Sequence, residues 1–283
     1  MADKIIITGK NGGLSKAVNN RLGGEYEATL LGVKNKGWES ESFCGVKAIV
    51  HVAGLVPKAG VKNEDFYYVN TLLTADLARK AKNDGVKLFV YISSMAVYGR
   101  KPILSVEKGR VKKEDEPMPT DDYGKSKLLA ENYLYDLADE NFKVAVIRAP
   151  SIYGANGNAY FEQFSNILRN FKSIPVAFTK NYKSAINTDN LSELIYLIVK
   201  NNQSGIFCPD DGLYSAADYC AAINPERKKS AFYGFIIEKL LRLSKRVKDY
   251  FGAIYYDESL SVAFGGAYRV KSMEQAVKEI YGK

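Results

Sequence analysis

Five short apolar runs in the first half of the chain constrain its fold more than any other feature. They are Ile5–Thr8, Ala28–Val33, Ala48–Ala53, Leu88–Ser93 and Val144–Arg148. Helical patterns fall among them: one to about Leu22, one from roughly Asp65 to Asn83, one from about Lys125 to Ala138. Strands that are apolar along their whole length are covered on both faces, and strands alternating with helices build a parallel sheet. The expected fold is therefore α/β, a doubly wound parallel sheet with a smaller mixed α/β lobe at its C-terminal side. In such a sheet the ligand site lies at the carboxyl ends of the strands.

The second half is less regular. Tyr160–Phe171, Leu191–Lys200 and Ala231–Asp249 read as helices, and Pro209-Asp210-Asp211-Gly212 reads as a turn. On this reading residues 1–154 form the sheet domain, with about 184–204 packing back on it, and 155–283 form mainly a second lobe. The 283 residues, 46% hydrophobic and 25% charged, have the balance of an ordinary globular protein. A net charge of +8 suits an anionic ligand. The cations are scattered, and a denser stretch, Arg242 to Lys248, lies in an amphipathic helical pattern, so no nucleic-acid partner is expected. Three distant cysteines (Cys44, Cys208, Cys220), no CxxC and a single histidine argue against a disulfide framework or a metal site. That histidine, His51, sits in an apolar strand, which points to core packing. A strand begins at Lys4, and no uncharged run approaches the roughly 20 residues of a membrane span, so a cytoplasmic protein without a membrane partner is expected.

The first strand runs into Thr8-Gly9-Lys10-Asn11-Gly12-Gly13-Leu14-Ser15. Gly9 permits a tight strand-to-helix turn, and Gly12 lets the backbone approach a pyrophosphate. The amides and positive dipole of the next helix then hold the phosphates. Gly9, Asn11, Gly12, Gly13 and Leu14 are accordingly the expected cofactor-binding residues of this turn. Ser15 stands where a third glycine is usual. The second strand ends at Leu31-Gly32-Val33-Lys34 with no acidic residue to receive a ribose hydroxyl. Lys34 either contacts the extra phosphate of NADP or is an exposed loop lysine. The expected cofactor is NAD or NADP, with a slight preference for NADP.

Tyr123-Gly124-Lys125-Ser126-Lys127 puts a phenol and an ammonium one helical turn apart on one face. A phenol titrates near 10, too high for a base at neutral pH, and a neighbouring ammonium lowers that value. Such a tyrosine exchanges a proton with a substrate oxygen while a nicotinamide exchanges hydride. Phe89–Ser94 is an apolar strand ending in Ser93 and Ser94, where a hydroxyl can bond the reacting oxygen.

These motifs, in order, resemble the extended short-chain dehydrogenases, in particular the nucleotide-sugar epimerase/dehydratase group with its Rossmann domain. The series runs Thr8-Gly9-x-x-Gly12, Val50-His51-Val52-Ala53-Gly54, Val69-Asn70-x-x-x-Thr74 and Ser94 before Gly99. It continues through Tyr123-Gly124-x-Ser126-Lys127, Ala130-Glu131 and Arg148-Ala149-Pro150-Ser151-Ile152-Tyr153-Gly154. The resemblance implies that Ser94, Tyr123 and Lys127 are catalytic, with Tyr123 the acid/base and Lys127 also holding the nicotinamide ribose. It implies that Ala53, Gly54, Asn70, Pro150 and Ile152 line the cofactor. Ser94 and Ser151 would contact substrate, and Ser151 stands where many relatives carry asparagine. Lys183, in Lys183-Ser184-Ala185-Ile186, matches an arginine that binds substrate diphosphate, and Asp257 closes a further match at Tyr255-Tyr256-Asp257.

The implied substrate is a nucleoside-diphosphate sugar and the implied chemistry an oxidation or reduction at C4. A 4-keto reductase consuming NADPH is the first expectation, and a UDP-sugar 4-epimerase with tightly bound NAD the alternative. Met95-Ala96 replaces the Asp-Glu pair that dehydratases carry after the catalytic Ser/Thr. A non-catalytic NAD(P)-binding regulator is the reading from another class, and retention of both Tyr123 and Lys127 speaks against it. Relatives often dimerise through the helix of the Tyr123 motif, so a homodimer is a further expectation.

Overall fold

A computed structural model describes residues 2–103, 106–154, 159–170, 172–175, 181–230 and 251–281. The anticipated helix Ala231–Asp249, with the basic stretch Arg242 to Lys248, lies outside the described residues. The chain divides into two compact units. The first comprises Met1–Gly99, Glu116–Ala149 and Leu191–Cys208, and the second comprises Arg100–Asp115, Pro150–Asn190 and Pro209–Lys283. Arg100–Asp115 thus belongs to the second unit, where residue order alone had placed it with the sheet.

In the first unit six parallel strands form one sheet: β1 (Lys4–Thr8), β2 (Glu27–Leu31), β3 (Val46–His51), β4 (Leu88–Ser94), β5 (Lys143–Ala149) and β6 (Gly205–Phe207). Their order is β6-β5-β4-β3-β1-β2. The order reverses between β1 and β3, so the loops leaving these two strands diverge, which is where a doubly wound sheet receives its ligand. β3, β4 and β5 are buried almost throughout, which explains why their sequences are apolar without alternation.

The helices of this unit are α1 (Gly13–Leu22), α2 (Asn63–Phe66), α3 (Leu73–Asn83), α4 (Asp122–Leu137) and α5 (Thr188–Lys200), the last reaching it from Leu191 onward. The sequence pattern anticipates one helix over about 65–83. Instead a π-helical turn, Tyr67–Leu72, separates α2 from α3. The widened turn brings consecutive residues onto Ser126 of α4. The Asn70 amide donates to its Oγ (3.1 Å) and the Thr71 hydroxyl to its carbonyl (2.8 Å). Helix α4 begins earlier than its apolar pattern suggests, because Asp121 caps it by accepting from the Gly124 N–H (2.8 Å).

One polar cluster sits inside this core. Glu131 of α4 is fully buried and Arg148 of β5 nearly so. The guanidinium donates to the carboxylate (2.7 Å) and to the Tyr98 hydroxyl (2.8 Å), and the Ser93 hydroxyl donates to Glu131 as well. Because each charge is paired and bonded, the pair ties α4 to β4 and β5 at a defined height.

In the second unit, Ser151–Tyr153 pairs with Ala185–Asn187, Tyr182–Lys183 with Tyr214–Ser215, and Arg110–Val111 with Tyr255–Tyr256. Tyr153, Phe164, Tyr219 and Phe251 build its aromatic core beside the helices Ala159–Arg169, Ala216–Ile223 and Met273–Tyr281. Asp211 is buried here and accepts from the Tyr153 hydroxyl (2.6 Å), the Asn190 amide (2.7 Å) and the Asn187 N–H (2.8 Å). No helix among the described residues is long and apolar enough to cross a membrane.

Glu131→Ala is expected to leave Arg148 as an unpaired buried charge and to cost about 3–5 kcal/mol of unfolding free energy. Urea denaturation at neutral pH measures it, and a loss below ~1 kcal/mol would show that the pair does not anchor α4.

Candidate active site

The end of β4 and the start of α4 meet through backbone. A Cβ placed on Gly124 would lie 2.6 Å from the Ala96 carbonyl oxygen and 3.0 Å from Pro119. Gly99, at φ 63°, closes the short helical turn Met95–Tyr98, and a Cβ there would fall on the Met118 carbonyl. Only glycine fits at both places. Two residues of the tyrosine and serine motifs are thereby explained by close approach, and Ser94 and Tyr123 become neighbours.

Ser94 is half-buried, and its Oγ accepts from the Ala96 N–H (3.1 Å). The side chain of Ser93 lies on the opposite face of the strand and is spent on Glu131. Tyr123 is half-buried, edge-on to Phe66 with ring centroids 5.7 Å apart. Burial pushes its phenol above the usual value, Ser94 hydrogen bonding opposes this, and Asp121 reinforces it. The anticipated lowering by Lys127 is absent in this geometry. The Lys127 ammonium donates to the Ile92 carbonyl (2.8 Å) and lies 4.8 Å from the centre of the Tyr91 ring. Lys127 is itself buried, and burial pushes its pKa down to about 8, against the attraction of Glu131. Tyr123, Lys127 and Glu131 recur every four residues along α4, so one face carries phenol, ammonium and carboxylate in turn.

Lys127 also meets the loop after β3. A Cβ on Gly54 would stand 3.1 Å from its Nζ and 3.2 Å from the Asn70 Oδ1. The Asn70 side chain clamps Leu55, accepting from its N–H (2.7 Å) and donating to its carbonyl (3.0 Å). With a third bond to Ser126, Asn70 holds the loop carrying Ala53 and Gly54 rather than presenting a free amide.

The glycine turn fits a dinucleotide. Gly9 has φ 88° and its N–H donates to the Leu31 carbonyl (3.0 Å) beside the end of β2. Helix α1 begins after Gly12 with no capping side chain and no acidic residue in its first turn, so its amides and dipole face outward for phosphate. Asn11 and Gly12 are exposed, and Gly13 and Leu14 are half-buried. Ser15, in the third-glycine place, is fully buried with its Oγ 2.9 Å from the Gly12 carbonyl and bonded also to that of Gly9. The hydroxyl closes the turn from beneath. Lys34 is exposed just beyond β2. Among the described residues no group of His, Cys, Asp and Glu is arranged to hold a metal ion.

The remaining anticipated residues lie in the second unit. Pro150 is buried, and Ser151 and Ile152 are half-buried in a strand. Lys183 is only 7% exposed, on a strand beside Ile254. Asp257 is already engaged. It accepts from the Ser259 hydroxyl (2.6 Å) and N–H (2.9 Å) and pairs with Arg110, which together pull its carboxyl down to about 2. Arg110, Glu131 and Arg148 carry geometry for which no role was derived beforehand. For Arg148 the signal was a cation closing an otherwise apolar strand.

Residues 5–176 match the NAD dependent epimerase/dehydratase family. UDP-glucose 4-epimerase of Vibrio cholerae is 35% identical over 150 residues, 51% of this chain and 44% of that protein. The matches to this and further curated relatives each cover less than half of the relative's length. Among solved structures, a human epimerase family protein with NADPH aligns with a TM-score of 0.76 at 14% identity, covering 98% of this chain and 99% of that one. The dTDP-4-dehydrorhamnose reductase of Bacillus anthracis with NADP aligns at 0.69 and 20% identity, covering 99% of each. With its glycine turn, its six-stranded parallel sheet and a family match over more than half its length, the chain belongs to the NAD dependent epimerase/dehydratase family.

Proposed function

We propose that the chain is an NAD(P)-dependent enzyme interconverting a secondary alcohol and a ketone at C4 of a nucleoside-diphosphate sugar. The observation that carries the reading is the meeting of Ser94 and Tyr123 in the same unit as the glycine turn, with Lys127 against Gly54. NAD(P) held at that turn supplies or takes up a hydride. The side chains then handle the proton. Burial keeps the Tyr123 phenol in its protonated form, which is the form that donates to the oxygen of a ketone. The Ser94 hydroxyl holds that oxygen and favours its developing charge. The Lys127 ammonium, carried on the same face of α4 and lying against Gly54, orients the ribose of the cofactor.

A 4-keto reductase is the direction we favour, because the end of β2 offers Lys34 and no carboxylate, which suits NADP. The 4-epimerase reading has support of its own in the 35% identity to a UDP-glucose 4-epimerase. Incubation with NADPH or NADH and a panel of UDP- and dTDP-sugars separates the two. Net loss of reduced-cofactor absorbance with a 4-keto sugar marks a reductase. C4 interconversion without net loss marks an epimerase, and cofactor binding without either marks a regulator.

Tyr123→Phe removes only the hydroxyl and should abolish turnover while NAD(P) binding survives; undiminished activity would end the assignment. Lys34→Glu should weaken NADPH binding more than NADH binding, by about tenfold for one lost phosphate contact. An equal effect on both cofactors, read by fluorescence titration, would remove Lys34 from the site. The Lys127 charge is present below and lost above a pH of about 8. Its contribution to cofactor affinity should therefore fall as pH rises through that value. In Lys127→Met the decline should vanish, and an unchanged pH profile in that variant would assign it to another group.

A further inference from the structure

His51 is the chain's single histidine and is fully buried at the end of β3. Its ring is bonded at both ends, Nδ1 to the Thr8 hydroxyl (2.8 Å) and Nε2 to the Thr74 hydroxyl (3.0 Å). The neighbouring bonds set the direction of each. The Thr74 hydroxyl donates its proton to the Asn70 carbonyl (2.7 Å), so towards His51 it accepts, and Nε2 carries the hydrogen. On the other side the Ala53 N–H donates to the Thr8 oxygen (3.1 Å), leaving the Thr8 proton for Nδ1. One directed chain of hydrogen bonds results, from the Ala53 amide through Thr8, His51 and Thr74 to the Asn70 carbonyl. It requires a neutral ring.

The surroundings enforce that state. Burial, with the Lys127 ammonium adding to it, holds the imidazole at a pKa of about 3. The ring stacks on Tyr91 at 5.9 Å between centroids, and the Lys127 ammonium lies on the same phenol. A phenylalanine would fill the volume, but the Thr8 and Thr74 hydroxyls would each lose a partner in the core. The three segments joined are the residue before Gly9, the loop of Ala53 and Gly54, and the π turn whose Asn70 clamps Leu55 and Ser126.

We infer that His51 is a positioning residue, held as the neutral Nε2-protonated tautomer, that sets the spacing between the glycine turn, the Ala53–Leu55 loop and the Asn70 turn on which cofactor binding depends. The role of the cofactor rests on the proposed function; the wiring of the ring does not.

Untagged protein labelled with ¹⁵N-histidine reports one ring. The expected spectrum is that of the Nε2–H tautomer, unchanged from about pH 5.5 to about pH 9, where an ordinary histidine titrates. Thr74→Val, which keeps the shape and removes the hydroxyl, should weaken NADPH or NADH binding by about tenfold. Thr74→Ser, which restores the hydroxyl, should bind like the parent. His51→Phe should behave as Thr74→Val does. Val50→Ala, a buried neighbour outside the network, should lower the melting temperature with less than about a twofold change in Kd. A ring that titrates in that range, an Nδ1–H tautomer, or equal affinity in Thr74→Val and Thr74→Ser overturns the inference. A parent protein that binds neither cofactor overturns the proposed function instead, and the NMR spectrum still decides the tautomer.

Discussion

Helix α4 approaches the turn after β4 so closely that backbone meets backbone at Gly124 and Ala96, with no space for a methyl group between them. A matching constraint at Gly99 and Met118 closes the other side of the turn. Interiors at crystal-like density do not yield to an added carbon without displacing an element. This contact carries the phenol of Tyr123 to the hydroxyl of Ser94, and the candidate site follows from it. The buried pair of Glu131 and Arg148 then holds the same helix against the sheet two turns further along.

Electrostatics along α4 is a contest between burial and pairing. Lys127 is stripped of water and compensated by a carbonyl and an aromatic face, with Glu131 one turn on, and its proton is weakly held. Tyr123 is pushed the other way by the same loss of solvent, because for a phenol the charged form is the deprotonated one. The two shifts draw the groups apart in proton affinity: the phenol holds its proton more tightly and the ammonium less tightly than either does in water. His51 sits behind this pair as a neutral ring, which spares Lys127 a second buried positive charge.

Much of the architecture was legible in the residues. The apolar runs ending near Thr8, His51, Ser94 and Arg148 are the strands β1, β3, β4 and β5, since a strand covered on both faces has no polar side to show. The glycine turn was legible because its backbone demands are met by one residue type. The π turn at Tyr67–Leu72 was not, because its cause is the reach of Asn70 and Thr71 to Ser126, a residue over fifty positions away. Nor was the engagement of Asp257 by Arg110, which depends on two short strands pairing across the second unit. The placement of Arg100–Asp115 in that unit has the same origin.

By itself the sequence determined the class of fold and the glycine turn, and it singled out Tyr123, Lys127 and Ser94 as the candidate phenol, ammonium and hydroxyl. All of these depend on local spacing: a period of residues along a strand or helix, or the torsions open to glycine. The tertiary structure alone decided that Ser93 is spent on Glu131, that Asn70 clamps a loop, that burial loosens the hold of Lys127 on its proton, and that His51 is wired at both ends. These depend on distances between segments far apart in the chain and on how much water their packing excludes, and neither quantity is written in any single stretch of residues.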